Sequence, residues 1–361
     1  MLLLVNALSL GAPIRDWAAF SFEDFVAEHS KVYDDSEAAG RKDVYMQNLA
    51  KVLSQNVEYA AGRSTWYATV NAFSDWTADE FASRRLARQP TSGGKPAANV
   101  VEQQPRLHNP ESMDWRTRGV TTKVKNQGGC GSCWAFASTE VIESHFAIAN
   151  KATPLTLAPQ TFVDCAANPT HCGGTGGCEG SIPELAFNFT RAHGIALEAD
   201  IPYSGHDASC PTYKPAVTLG GYVKLPANDG DALESAIATV GPVAVNVAAE
   251  PWQLYGGGIF SGGCKTSGVI FKKDCDLDHV VAAEGYSTEG EGYWLIRNSW
   301  GGGWGEDGYI RLSRKNDNVT FTDTTPADGV ACEPFPKKQQ VGGESGVLFD
   351  MSYPTGVRAT N

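Results

Sequence analysis

Three observations in the sequence predict an α+β fold. A helical pattern runs from Ser132 to about Asn150 and lets Phe136, Val141, Ile142 and Phe146 share one face. Beyond it come β-rich runs bounded by Gly or Pro: VAVNVAA (243–249), DHVVAAEGY (278–286) and YWLIRNSW (293–300). A helical half thus precedes a β half within one body. Third, the region from Ser21 to about Phe81 is charged and helix-prone. The run Gln89-Pro90-Thr91-Ser92-Gly93-Gly94-Lys95-Pro96 separates it from the rest as an exposed linker. No internal repeat of about 20–50 residues is present.

A length of 361 residues fits about two domains. With 42% hydrophobic and 19% charged residues, wholesale disorder is excluded. The balance of 29 basic against 41 acidic side chains gives a net charge of −12, which argues against a nucleic-acid partner. No apolar run approaches the roughly 18 residues that would span a bilayer, so no membrane span is expected. Residues 1–12 (MLLLVNALSLGA) have the apolar stretch and small-residue end of a secretory signal. They lack a positive n-region, and Asn6 interrupts them; the alternative is a first helix of the folded protein. Sequons at Asn188 and Asn318 also fit secretion. Nine cysteines leave one over, and eight that pair fully suit an oxidising compartment.

The run NQGGCGSCWAFA (126–137) places Cys133 at the start of the predicted helix. A thiol in the first helical turn faces the positive end of the macrodipole, which favours the nucleophilic thiolate. His279, beside Asp278 at the start of a β-run, is the candidate base. Asn298, in RNSWGGGWG (297–305), offers an amide oxygen to hold the imidazole ring and its tautomer. Trp300, two residues on, is placed to shield the pair from water.

Together, NQGGCGSCWAF, DHVVAAEGY and RNSWGGGWGEDGYIRL resemble, in order, the motifs of the papain family of cysteine proteases, cathepsin L type, in proenzyme form. The resemblance runs from about Phe20 to Pro354 and is weakest in the linker, between Lys265 and Asp276, and between Asn316 and Glu344. It implies a papain-like two-lobed fold, with a helical left lobe and a β-barrel-like right lobe, preceded by a helical inhibitory propeptide. It implies that Cys133 attacks the scissile carbonyl, His279 shuttles the proton and Asn298 orients the histidine. The Gln127 side chain and the Cys133 N–H would form the oxyanion hole. This chemistry needs no metal or cofactor.

Glu37, Arg41, Tyr45, Asn48, Val52 and Asn56 follow at spacings of four, four, three, four and four, along one helical face. Their order resembles the family's interspersed propeptide motif, with Tyr and Val for the usual Phe and Ile. Asn71, Phe73 and Asp75 match its second propeptide motif, although Thr69 stands where glycine is usual. Residues 13–108 then read as an inhibitory propeptide, helical over about 20–81 and an extended linker over about 82–108. The peptidase domain would occupy 109–361, with maturation near His108-Asn109. The propeptide's tail would lie in the cleft against the direction of substrate.

By the same resemblance Cys130 pairs with Cys178, and Cys165 with Cys210. The family's third bridge would join Cys264 to the position held here by Ser345, so Cys332, thirteen residues earlier, is the expected substitute. A Cys172–Cys275 bridge would complete four pairs, although spacing does not fix connectivity. Gly180 and Ser181 stand beside the expected substrate backbone, where relatives carry two glycines. Ile182, Pro183, Asn246, Leu277, Val280 and Asp350 map onto the S2 pocket, with Trp300 also at the cleft. The apolar members imply a hydrophobic P2 residue, while Asp350 at the floor is in place to pair with P2 Arg or Lys.

Other classes compete with this reading. Cys130-Gly131-Ser132-Cys133 is also a C-x-x-C at a helix start, as in a redox dithiol. Cys165, His171, Cys172 and Cys178 supply a zinc-like donor set. A scaffold descended from a protease is the third alternative, against which Gln127, Cys133, His279 and Asn298 are all present. The expectation is a monomeric endopeptidase acting on protein and peptide substrates, held by its own propeptide, in the lysosome, vacuole or extracellular space.

Overall fold

The computed structural model describes residues 15–86, 109–267 and 272–360. The leader, the Pro/Gly-rich linker and His108 at the expected maturation point lie outside the described residues.

The N-terminal region is built on one helix, Asp35–Ala60, started by the Asp34 carboxylate, which accepts the Ser36 and Glu37 N–H groups. Its inner face buries Tyr45, Asn48, Leu49 and Val52. They pack with Phe22 and Phe25 of the short helix Phe22–Glu28 and with Ala68 and Val70. Tyr45 also donates its hydroxyl to the Phe20 carbonyl at 2.8 Å. The Asn56 side-chain amide clamps Ala68, its nitrogen donating to the Ala68 carbonyl and its oxygen accepting the Ala68 N–H.

Strand Trp66–Ala68 carries this region onto the rest of the molecule. It pairs antiparallel with Tyr255–Phe260 and forms one edge of a nine-stranded sheet. The order continues through Tyr309–Ser313, Tyr293–Arg297, His279–Ser287, Val243–Val247 and Met351–Thr355 to Gly221–Lys224, and Ser112–Asp114 also pairs with His279–Ser287. His279–Ser287 is buried along its whole length. Against it lies the helix Cys133–Asn150, buried continuously from Cys133 to Ala147. A helix buried all round is central, and this one shares a core with Phe162 and Phe187 on one side and with Ala244, Val280 and Ala282 of the sheet on another, rather than burying the single face predicted. The helical lobe adds Pro159–Cys165 and Pro183–His193, both opened by proline in the first turn, where its missing N–H costs nothing.

The two stretches of weakest resemblance fold together. Strands Gln339–Gly342, Thr320–Asp323, Lys272–Asp274 and Lys265–Ser267 make a separate four-stranded sheet. Its apolar side contains Cys264, Cys275, Leu277, Phe321, Val330 and Val341. This sheet corrects two expected disulfides. Pairing of Lys265–Ser267 with Lys272–Asp274 brings Cys264 to Cys275, so Cys264 does not reach Cys332, and Cys172 does not bond Cys275. Cys332 instead bonds Cys172 of the other lobe. Cys130 joins Cys178, and Cys165 joins Cys210. Ser345 accepts a hydrogen bond from the Trp252 indole at 3.1 Å.

Phe81 is fully buried, with its ring 5.6 Å from Phe73 and 5.0 Å from Trp300. Replacing it by alanine should cost the docked N-terminal region about 3–5 kcal/mol. In urea unfolding of the full chain, Phe81→Ala should move the transition of residues 15–86 to lower denaturant and leave that of the sheet-bearing part in place.

Candidate active site

Cys133 opens its helix behind Ser132, whose hydroxyl does not cap it. Ser132 Oγ instead bonds the Tyr203 hydroxyl at 2.7 Å, and Tyr203 donates to the Gln127 carbonyl at 2.6 Å. The turn before the nucleophile is thereby held rigid. His279 is the first residue of its strand, and its Nε2 lies 2.8 Å from Asn298 Oδ1. That oxygen also accepts the Ser299 N–H at 2.8 Å, which fixes the amide's orientation. With Asn298 oxygen as acceptor, Nε2 carries the proton and Nδ1 is left as the basic nitrogen. Trp300 stacks on the imidazole at 4.9 Å and is itself buried.

Gln127 is held at both ends. Its Oε1 accepts from Ser299 Oγ at 2.7 Å. Its Nε2 donates to the Cys130 carbonyl at 3.0 Å and to the carbonyl of Arg85 at 3.2 Å. Arg85 belongs to the N-terminal region, so a backbone carbonyl of that region occupies the amide donor beside the candidate nucleophile. The Arg85 guanidinium donates to Asn126 Oδ1 at 2.8 Å and lies 4.5 Å from the centre of the Phe73 ring.

Burial sets the charge state of the pair. It pushes the Cys133 thiol up to about 12 and the His279 imidazole down to about 4. The Asn298 bond favours imidazolium but is outweighed, and the positive Arg85 adds to the downward shift. His279 Nδ1 is buried and makes no hydrogen bond. The arrangement is a neutral thiol beside a neutral imidazole, both covered by the N-terminal region.

Residues 109–327 match the model of the papain family cysteine protease, and residues 22–81 match that of the cathepsin propeptide inhibitor domain. This chain belongs to the papain family. The Cathepsin L-like proteinase of Phaedon cochleariae is 36% identical over 303 residues, covering 82% of this chain and 88% of that protein. Procathepsin L of Mus musculus is 33% identical over 337 residues, covering 88% and 95%. The solved digestive procathepsin L2 proteinase from Tenebrio molitor larval midgut superposes with a TM-score of 0.74 at 31% identity, over 92% of this chain and 97% of that one. The protein is a papain-family cysteine protease that hydrolyses peptide bonds and carries its own propeptide inhibitor domain.

The propeptide residues singled out in the sequence build this inhibitor and its dock. Arg41 pairs with Glu37 and Glu80, and Asn48 donates to the Ser74 and Trp76 carbonyls. Asp75 accepts from Lys31 and Tyr33 at 2.8 and 2.7 Å. Asn71 donates to the Gln253 carbonyl, while Gln253 donates back to the Phe73 and Trp76 carbonyls. Phe73 and Phe81 then pack edge-on against Trp300, over His279.

The alternatives fail on the cysteines. Cys130 is bonded to Cys178, so it forms no dithiol with Cys133, the free cysteine among the described residues. Cys165, Cys172 and Cys178 are each oxidised in a disulfide, which removes the zinc-like donor set.

Of the expected substrate-binding residues, Asn246 pairs across the sheet with Val280, the neighbour of His279, and its amide donates to Asp350 at 3.2 Å. Ser181, Ile182, Pro183 and Leu277 are buried. Asp350 does not stand as a free carboxylate, because Lys224 Nζ lies 2.6 Å from it and 2.7 Å from Glu184. Burial and the neighbouring Glu184 push Asp350 up to about 6. Sequence reasoning missed Lys224, which sits a whole strand away, and missed Arg85, because the propeptide motifs end before it.

Glu80 connects this architecture to acidity. Burial pushes its pKa up, but the Thr77 N–H and Arg41 outweigh this and hold it below the ordinary 4.5. A carboxylate so depressed stabilises the folded propeptide above its ordinary value, and that contribution is lost as pH falls through the depressed pKa. Unfolding of the propeptide, followed by circular dichroism from about pH 6 to about pH 3, should show a loss beginning near pH 4.5. Glu80→Gln should flatten that part of the profile.

Proposed function

We propose that Cys133 is the nucleophile, His279 the general acid–base, Asn298 its orienting partner, and that Gln127 Nε2 with the Cys133 backbone N–H forms the oxyanion hole. The observation that carries this reading is the Arg85 carbonyl on Gln127 Nε2, a stand-in for a substrate carbonyl. Once the propeptide leaves, water returns to the pair and the thiol proton passes to His279 Nδ1. The thiolate adds to the scissile carbonyl, and the oxyanion is held by the two N–H donors. His279 gives its proton to the leaving amine, and a thioester to Cys133 forms. Water, deprotonated by His279, then hydrolyses the thioester and regenerates the thiol.

On this reading residues 1–12 are a leader, 13–108 the propeptide and 109–361 the peptidase domain. Four disulfides and cathepsin L-like relatives fit the secretory route, ending in a lysosome, vacuole or the extracellular space. No helix of the described residues is long and apolar enough to cross a membrane. We read the enzyme as a monomer acting on protein and peptide substrates. At pH 4.5 with a thiol reductant, conversion of the purified chain to the fragment starting near Asn109 should bring hydrolysis of a Leu-Arg fluorogenic peptide in step. Cys133→Ala should abolish the activity and the labelling by a thiol-directed epoxide; retention of either refutes the assignment.

The pairing of Lys224 with Asp350 and Glu184 supports a hydrophobic P2 preference over a basic one. Assayed at about pH 7.5, where Asp350 and Glu184 can ionise opposite a cationic P2 side chain, Lys224→Met should raise the ratio of P2 Arg to P2 Leu hydrolysis about tenfold, equivalent to about 1.4 kcal/mol. An unchanged ratio would place Asp350 outside the pocket.

A further inference from the structure

The two sequons of this chain stand in opposite surroundings. Asn188 lies within helix Pro183–His193. Phe187 before it and Thr190, the last residue of its sequon, are fully buried. The Thr190 hydroxyl donates to the Ala186 carbonyl at 2.8 Å, and the Thr190 carbonyl accepts from the Thr218 hydroxyl at 3.1 Å. Phe189, between them, packs edge-on against Phe162 at 6.1 Å. Asn188 itself is half-buried, and its side chain interacts with Tyr222 of strand Gly221–Lys224. A sugar on its amide nitrogen would enter the seam between helix and strand, where Phe187 and Tyr222 already lie 6.1 Å apart.

Asn318 belongs instead to the turn 314–319, which leads from strand Tyr309–Ser313 of the large sheet to strand Thr320–Asp323 of the small one. The turn is pinned through its neighbours. The Trp294 indole and the Arg314 guanidinium donate to Asp317 at 3.1 and 3.0 Å, and the Val319 N–H donates to the Asn316 carbonyl at 2.9 Å. Asn318 and Thr320 are both exposed, and neither side chain hydrogen-bonds to another of the described residues. Beside Asn318 opens a polar cleft of about 510 Å³, whose walls include Asn228, Asp229, Thr288, Arg314 and Asp317. A bulky, hydrated group linked there meets open space and hydrogen-bonding partners. No wall of the cleft comes from the propeptide or from the Cys133 site, so a group at this position survives maturation and leaves catalysis alone.

We propose that Asn318 is N-glycosylated and that Asn188, despite its matching motif, stays unmodified. The proposal rests on the secretory reading above. The donor is an oligosaccharide linked to a lipid diphosphate. The Asn318 amide nitrogen bonds to C1 of its first sugar, the bond from C1 to the diphosphate oxygen breaks, and lipid diphosphate and the amide proton leave. Transfer onto an emerging chain precedes folding, so the fold filters the products. A chain modified at Asn318 closes its turn unhindered, whereas one modified at Asn188 cannot seat helix Pro183–His193 against strand Gly221–Lys224.

The test produces the full chain in a eukaryotic secretory host, once behind residues 1–12 alone and once behind an added strong leader. Protein recovered from the secretory compartment is denatured and treated with peptide N-glycosidase, which turns each occupied asparagine into aspartate, and its peptides are weighed. Aspartate is expected at position 318 and asparagine at 188. In the intact protein, Asn318→Gln and Thr320→Val should each remove one glycan's mass, and Asn188→Gln should remove none. The matured Asn318→Gln enzyme should hydrolyse the Leu-Arg peptide with kcat/KM within about twofold of the unaltered enzyme. An unoccupied Asn318, or a glycan on Asn188 in folded, active protein, overturns the proposal. A glycan on Asn318 found only behind the added leader upholds the site and overturns the reading of residues 1–12 as a leader.

Discussion

Removal of water from the Cys133–His279 pair is the constraint around which the zymogen is organised. A thiolate and an imidazolium are each costly in an apolar enclosure, and here burial drives both partners to their neutral forms. The propeptide supplies that enclosure. Phe73 and Phe81 lie against Trp300, the ring that stacks on His279. Arg85 adds a positive charge that disfavours imidazolium and a carbonyl that occupies Gln127. Inhibition is therefore electrostatic as well as steric. The same groups that exclude substrate also remove the charge separation that gives the nucleophile its reactivity.

The frame that bears this enclosure is polar. Arg297, directly before Asn298, is fully buried between Glu140 of the central helix and Glu284 of the neighbouring strand, at 3.2 and 3.3 Å. Tyr309 donates to the other Glu284 oxygen at 2.8 Å. Lys125 pairs with Glu143 one helical turn along, and Glu143 also accepts the Leu157 N–H. A buried ion pair gains little net stability over an apolar one, but removing one partner strands a charge. Such a network tolerates few alternative packings, which suits a segment that must hold Asn298 within 2.8 Å of His279 while the propeptide comes and goes.

What the sequence made legible follows from locality. Cys133 at a helix start is a statement about neighbours in the chain, and so are the spacing from Glu37 to Asn56 and the apolar texture of 278–286. Each is realised where it was read. The helix Cys133–Asn150 is buried on more sides than its periodicity suggested, because the number of elements packed around a helix is a tertiary property. The bridges of Cys172, Cys264, Cys275 and Cys332 were illegible for a related reason. Their pairing depends on a sheet assembled from two stretches some fifty residues apart, and neither stretch signals the other. Asp350 was readable as an acidic residue at a given count from Tyr353-Pro354, but its pairing with Lys224 on the adjacent strand was not.

Those departures are connected in space. Pairing of Cys264 with Cys275 within one hairpin leaves Ser345 free to accept the Trp252 indole, and Trp252 in turn packs edge-on to His279. It also leaves Cys332 available to cross to Cys172. A rearranged bridge thus does two jobs, since the core behind His279 is completed by a hydroxyl and the released cysteine ties the two lobes together. Lys224 gives two buried carboxylates, Glu184 and Asp350, a shared cation. The Cys172–Cys332 bridge and the Lys224 pairing share no residue, so either can be removed without breaking the other.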